Sequence, residues 1–219
     1  EMEATSFPLL VLIAFAAMIR PSIAFSRGCL PFRLSTRLFS KVGELHFFNE
    51  QTALMNIHEE SLIETMSKIR SLLGYEKYSV TLTLVDDEEM RATNKDTRDI
   101  DAPTDILSFP FADASEPGRL LEPDLEIPEL LHLGEMLVDV PYVIRRTKED
   151  EEWEYETDEE EDRGVSGAMA EVFDPEKRIH MLLVHGMLHL VGYDHIEDDD
   201  YELMVAKEEK ILNELGLTP

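Results

Sequence analysis

Cysteine is nearly absent from this chain: Cys29 is the only one in 219 residues. One thiol cannot close an internal disulfide, so the fold does not depend on an oxidising compartment. Any metal site must then be built from histidine and carboxylate ligands rather than thiolates. Positive charge is scarce as well. Twenty Lys and Arg stand against 47 Asp and Glu, for a net charge of −27. That excludes a uniformly basic face for polyanions, while leaving room for a local basic cleft, because phosphate contacts are made locally. Membrane-spanning length is also missing: the apolar run FPLLVLIAFAAMI at 7–19 has thirteen residues, too few to cross a bilayer comfortably. No internal repeat is visible.

What that run does suit is the hydrophobic region of a signal peptide, with Ser22 and Ala24 as small residues near a cleavage point. Glu1 and Glu3 stand where a basic segment is expected. The following SRGCLPFRLSTRLFSK (26–41) is rich in Ser, Thr and Arg and has no acid, the composition of an organelle transit peptide. Residues 1–41 therefore read as a leader, and its two-part form with Phe25 resembles those of algae with secondary plastids. A plastid is the expected compartment, with a mitochondrion second; a membrane anchor or a buried N-terminal helix is the competing reading of the same residues.

From residue 42 the pattern is that of one domain, 42–219, of mixed α and β character. Strands are expected at GELHFFNEQ (43–51), YSVTLTLVDD (78–87), DILSFPF (105–111) and LGEMLVDV (133–140). Helical spacing covers 53–74, stopped by Gly74, and a short helix with acids in its first turn follows in DDEEMRATNK. ADASEPGRLLEPDLEIPEL, with three prolines, reads as a loop. In EDEEWEYETDEEED (149–162) eleven of fourteen residues are acidic, and without them the remaining charge is −16. Like charges at that density resist packing, so an exposed acidic insertion is expected at about 145–174, a solvated loop before a partner-binding segment. A last helix over 198–215 is expected to turn Leu203, Ile211, Leu212 and Leu215 inward.

HGMLHLVGYDH (185–195) places three histidines in eleven residues. PEKRIHMLLVHGMLHLVG (175–192) reads as a helix with Pro175 near its start and Gly192 just past its end. His185 and His189, four apart, project from one face, and a turn at Gly192 returns His195 beside them. Three imidazoles and an open fourth position describe a catalytic Zn²⁺ site rather than a closed structural one; imidazole also suits nickel and copper. His46, His58, His132 and His180 show no such grouping. The spacing matches a metalloprotease pattern except where that chemistry needs a Glu after the first His. Here that residue is Gly186.

These eleven residues resemble the signature of the YbeY family of zinc-dependent endoribonucleases associated with ribosomal RNA maturation. NKDTRDIDAPTDILSFP (94–110) resembles the family's second block, with Thr97 where an aromatic is common. LGEMLVDV resembles its Leu-Gly-Asp strand, with Glu135 in place of Asp. The resemblance spans roughly 42–216 and implies one zinc ion on His185, His189 and His195, with Arg98 as the catalytic arginine. A phosphodiester needs a cation for its non-bridging oxygens, and a guanidinium supplies paired donors. On the residues alone, Arg98 reads first as a surface arginine paired with Asp96 or Asp99; the resemblance reverses that order. Asp194 is placed to orient an imidazole or cap a turn; Ser108 and Thr104 line the cleft or satisfy the backbone.

The function expected is zinc-dependent, single-strand-specific endoribonuclease activity in ribosomal RNA processing, with RNA, and ribosomal subunits or assembly factors, as partners. Zinc and Arg98 would share the charge of the transition state. The rivals are a non-catalytic zinc-containing ribosome-assembly factor and a metal-dependent hydrolase of another substrate. The fold expected is α+β: a single domain with a small mixed sheet packed with helices, and the three-His site on a helix and the turn that follows.

Overall fold

The computed structural model describes residues 42–53, 55–125, 127–152 and 164–218. The leader expected at 1–41 and most of the acidic run lie outside them. Four strands form one sheet in the order β1 (Leu45–Asn49), β2 (Ser79–Val85), β6 (His132–Asp139), β3 (Ile106–Pro110). β1, β2 and β6 are parallel, and β3 runs antiparallel against β6 with Ile106 opposite Val138 and Pro110 opposite Gly134. The mixed sheet packed with helices is the α+β architecture expected.

Alternation along these strands divides two cores. Val80, Leu82, Leu84, Ile106, Met136 and Val138 face one side and join the main core. Val85 and Leu107 face the other and are covered by Met90 of α2 (Asp87–Arg98). On the main side lie α1 (Glu59–Leu73) and α5 (Pro175–Leu190), with α3 (Val140–Glu152), α4 (Gly164–Ala170) and α6 (Asp198–Leu215) packed around α5. α5 is apolar on nearly all sides, and its residues from Arg178 to Val184 are all buried. Such a helix belongs at the centre of a core. Its start is set by Asp174, whose side chain accepts from the Glu176 N–H at 3.0 Å, with Pro175 as first residue.

The structure corrects four expectations. The helix expected over 53–74 begins only at Glu59; Ala53, Met55 and Ile57 meet the core from an irregular segment. α2 runs on past Lys95, the expected end of the short helix, and Arg98 closes it before Asp99 with φ 59°. The proline-bearing loop contains a hairpin, β4 (Ala114–Glu116) and β5 (Arg119–Leu120), and a 3-10 turn at Pro128–Leu130. On α6 the inward stripe is Met204, Glu208, Ile211 and Leu212. Leu203 is one residue, about 100° of rotation, out of phase with that stripe and is exposed.

The stretch expected as an exposed insertion at 145–174 is anchored at both ends where it is described. Glu149–Glu152 continue α3, and the Asp150 carboxylate there pairs with buried Arg178 of α5 at 2.6 Å. After the acidic run, Val165 and Val172 are buried in the main core. The valines explain the difference: the tail has aliphatic side chains to bury, and few charges among them.

Candidate metal centre

α5 holds His185 and His189 one turn apart, and their Nε2 atoms lie 3.1 Å from each other. After Leu190 the chain reverses at Gly192, whose φ is 88°. A side chain there is excluded twice, by the left-handed backbone and by Ala114 Cβ, 2.3 Å from where a Cβ would stand. The reversal brings His195 back, with ring centroids 5.4 Å from His185 and 5.0 Å from His189. One ligand atom from each histidine fits within 4.8 Å of the others. Among the described residues this is the one group of this kind.

Each of the two helical imidazoles has its Nδ1 occupied. That of His189 meets the Tyr193 carbonyl at 3.0 Å. That of His185 meets Glu208 of α6 at 2.6 Å. Both Nε2 atoms are left for the centre of the group. Burial, and then the neighbouring imidazoles of His185 and His195, push His189 down to about 4. It is therefore neutral at pH 7, the form that ligates a metal.

The three histidines line a cleft of about 910 Å³ together with Arg98, Thr104, Ser108 and Tyr201. Arg98 is exposed and, among the described residues, pairs with neither Asp96 nor Asp99; its acidic neighbour Asp101 is taken by Arg91 and Lys95 at 2.7 and 3.0 Å. The loop after it is held by buried Asn94, whose Nδ2 donates to the Ala102 carbonyl at 2.8 Å. Ser108 Oγ is buried on the cleft wall and has no hydrogen-bond partner among the described residues. Thr104 donates to Asp105 at 3.1 Å. Asp194 accepts from the His195 N–H at 2.8 Å, so it caps a turn. The carboxylate that meets an imidazole is Glu208, which the sequence reading did not single out. A glutamate in phase with the buried Met204, Ile211 and Leu212 was the signal for it.

Gly186 has a structural reason. A Cβ there would stand 2.7 Å from Ile106 Cδ1, 2.8 Å from Met136 Sδ and 3.0 Å from Ser108 Oγ. α5 is pressed against β3 and β6 at this point, and a side chain at 186 would require the ends of Ile106 and Met136 to shift. The remaining histidines have partners elsewhere: His46 with Glu44, His58 with Glu176, His132 with Ser79 and His180 with Ser61.

Residues 46–161 and 165–216 match the family model described as endoribonuclease YbeY. A Halalkalibacterium halodurans protein of that name is 34% identical over 171 residues, covering 74% of this chain and 93% of that protein. A human protein of the same name is 28% identical over 148 residues, covering 68% and 74% respectively. A Thermotoga maritima protein of known solution structure has 22% identity and a TM-score of 0.42, covering 78% of this chain and 91% of its own.

Proposed function

This chain belongs to the endoribonuclease YbeY family, and on that premise we propose that it is a zinc-dependent endoribonuclease acting on single-stranded RNA in ribosomal RNA maturation. The observation that carries the reading is the meeting of His185, His189 and His195 with Arg98 on one cleft. The donor set fits the ion: three imidazole nitrogens within 4.8 Å, two of them with Nδ1 already engaged. Three such ligands and a fourth open position are the catalytic arrangement of zinc. Bound there, zinc would supply Lewis acidity and bring the pKa of a coordinated water to about 7.

The chain's own groups divide the rest of the work. Arg98, without an acidic partner among the described residues, offers parallel N–H donors to the non-bridging phosphate oxygens, and does so most strongly where charge builds in the transition state. Ser108 Oγ has unused hydrogen-bonding capacity on the same wall. No carboxylate of α5 stands between the two helical histidines to take the nucleophile's proton, because Gly186 occupies that place. The nucleophile is water or the RNA's own 2′-hydroxyl, and the products differ: the second leaves a 2′,3′-cyclic phosphate.

The test is cleavage of a single-stranded ribosomal RNA fragment by the chain from residue 42, with zinc content measured on the same sample and the product ends identified. Cleavage that a chelator abolishes and zinc restores supports the reading. Stoichiometric zinc without cleavage of any RNA favours a ribosome-assembly factor with a structural ion. Residues 1–41 are proposed to direct the chain to a plastid, on composition; a fluorescent fusion of that segment that stays in the cytosol would sink this part. Among the described residues no helix is long and apolar enough to cross a membrane.

A further inference from the structure

Glu208 lies in a place where a carboxylate is costly. It is 3% exposed, in the inward stripe of α6 between Met204 and Ile211. Buried charges are ordinarily paired with a cation or a metal. Among the described residues its only ion-pair partner is the imidazole of His185, at 2.6 Å. Its second oxygen accepts the backbone N–H of Val165, the second residue of α4, at 2.9 Å. Both oxygens are thus committed, one to the side chain at the cleft and one to the helix that closes the acidic run.

We propose that Glu208 is a positioning residue for the metal centre: it holds His185 with Nδ1 protonated towards the carboxylate and Nε2 presented to the ion. The inference rests on the metal reading above and deepens it. The contact fixes one of two imidazole tautomers, since a carboxylate accepts only from a protonated nitrogen. It also fixes the ring's rotation, because the other oxygen of the same carboxylate is held by the Val165 N–H, which sets the plane of the carboxylate. A divalent ion on three neutral imidazoles brings two positive charges beside a buried anion, so the carboxylate raises ligand basicity and is itself compensated when the ion is present. His189 has only a neutral carbonyl, that of Tyr193, in the equivalent place, and His195 is exposed. Among the described residues Glu208 is then the one carboxylate bonded to an imidazole of this group.

The experiment is zinc titration of the full chain against a competing chromophoric chelator, comparing wild type with Glu208→Gln, Glu208→Asp and Glu214→Gln, the last an exposed glutamate of the same helix. Glu208→Gln is expected to weaken zinc binding 10- to 100-fold, while its metal-free form melts at or above the wild-type temperature because a buried charge has gone. Glu208→Asp is expected in between, and Glu214→Gln at wild-type affinity. Equal zinc affinity in wild type and Glu208→Gln overturns the proposal. Should Glu208→Gln not fold, histidine-labelled wild-type protein decides: long-range ¹H–¹⁵N spectra are expected to show a proton on His185 Nδ1 and the metal on Nε2, and the reverse overturns it. If wild type binds no zinc at all, the metal reading itself fails, an outcome distinct from either.

Discussion

The two halves of the cleft are built differently. On the histidine side both helical imidazoles are held at Nδ1, His185 by Glu208 and His189 by the Tyr193 carbonyl, and the chain's return to His195 is set by Gly192 against Ala114. On the arginine side, Arg98 is the exposed last residue of α2, with no ion pair among the described residues. Its helix is tied down at the far end, where Asp87 pairs with Arg145 of α3 beside the buried Asp139. The first half has the fixed donors that the proposed ion needs. The second leaves its guanidinium without an ion pair among the described residues, as the proposed phosphate contact needs.

Breaking the histidine half should cost most. His189→Ala is expected to lose stoichiometric zinc and, with it, several kcal/mol of transition-state stabilisation, about 10³-fold or more in cleavage rate; metal analysis beside single-turnover kinetics checks both. Arg98→Ala should keep its zinc and lose about 10²–10³ in kcat. Arg98→Lys should recover only part of that, since an ammonium lacks paired donors. Loss of zinc in Arg98→Ala would merge the two halves and end the comparison.

Smaller effects sharpen it. Gly186→Ala forces a methyl group against Ile106, Met136 and Ser108, so the chain should lose about 1–3 kcal/mol of stability in denaturant titrations, with weakened zinc binding. A wild-type melt would mean that β3 and β6 yield easily. At the base of the arginine half, burial and then the Asp87 charge push Asp139 up to about 7. The folded chain therefore keeps this proton to higher pH than the unfolded chain, whose carboxyl releases it near 3.8. The stability it contributes is complete below that value and is lost as pH rises through about 7. Asp139→Asn keeps the neutral form and should melt above wild type at pH 8, with the gap closing towards pH 4; a gap that does not change with pH refutes the assignment. Smallest of all, replacing the acids at 156–161 by Gln or Asn should change the salt dependence of RNA binding and KM by a few-fold, leaving kcat and zinc affinity unchanged.

The legible parts of the molecule were those with local causes. The four main strands follow from alternation, and His185, His189, Gly192 and His195 from the geometry of one helix and its turn. Arg98 entered through the family resemblance, and its place on the cleft depends on α2 continuing about one turn beyond Lys95. Glu208 was hidden because its partner is 23 residues away in sequence, although a lone glutamate in an apolar stripe marked it. The β4–β5 hairpin was masked by prolines that flank its strands rather than interrupting them. The burial of Val165 and Val172 was obscured by the charge density that precedes them. Nothing local distinguishes a tail that returns to the core from one that stays in water.

The hydrogen atom that Gly186 carries in place of a side chain also bears on how such sites diverge. Two histidines a turn apart, a glycine turn and a third histidine form a ligand set that one added glutamate would bring close to that of a peptidase. Here that step meets Ile106 and Met136, whose side-chain ends on the sheet side would have to shift to admit it. The cost in stability would come at once, before any gain in a new activity. Close packing of helix on sheet thus sets a toll in sequence space between this histidine set and one that carries a peptidase's glutamate.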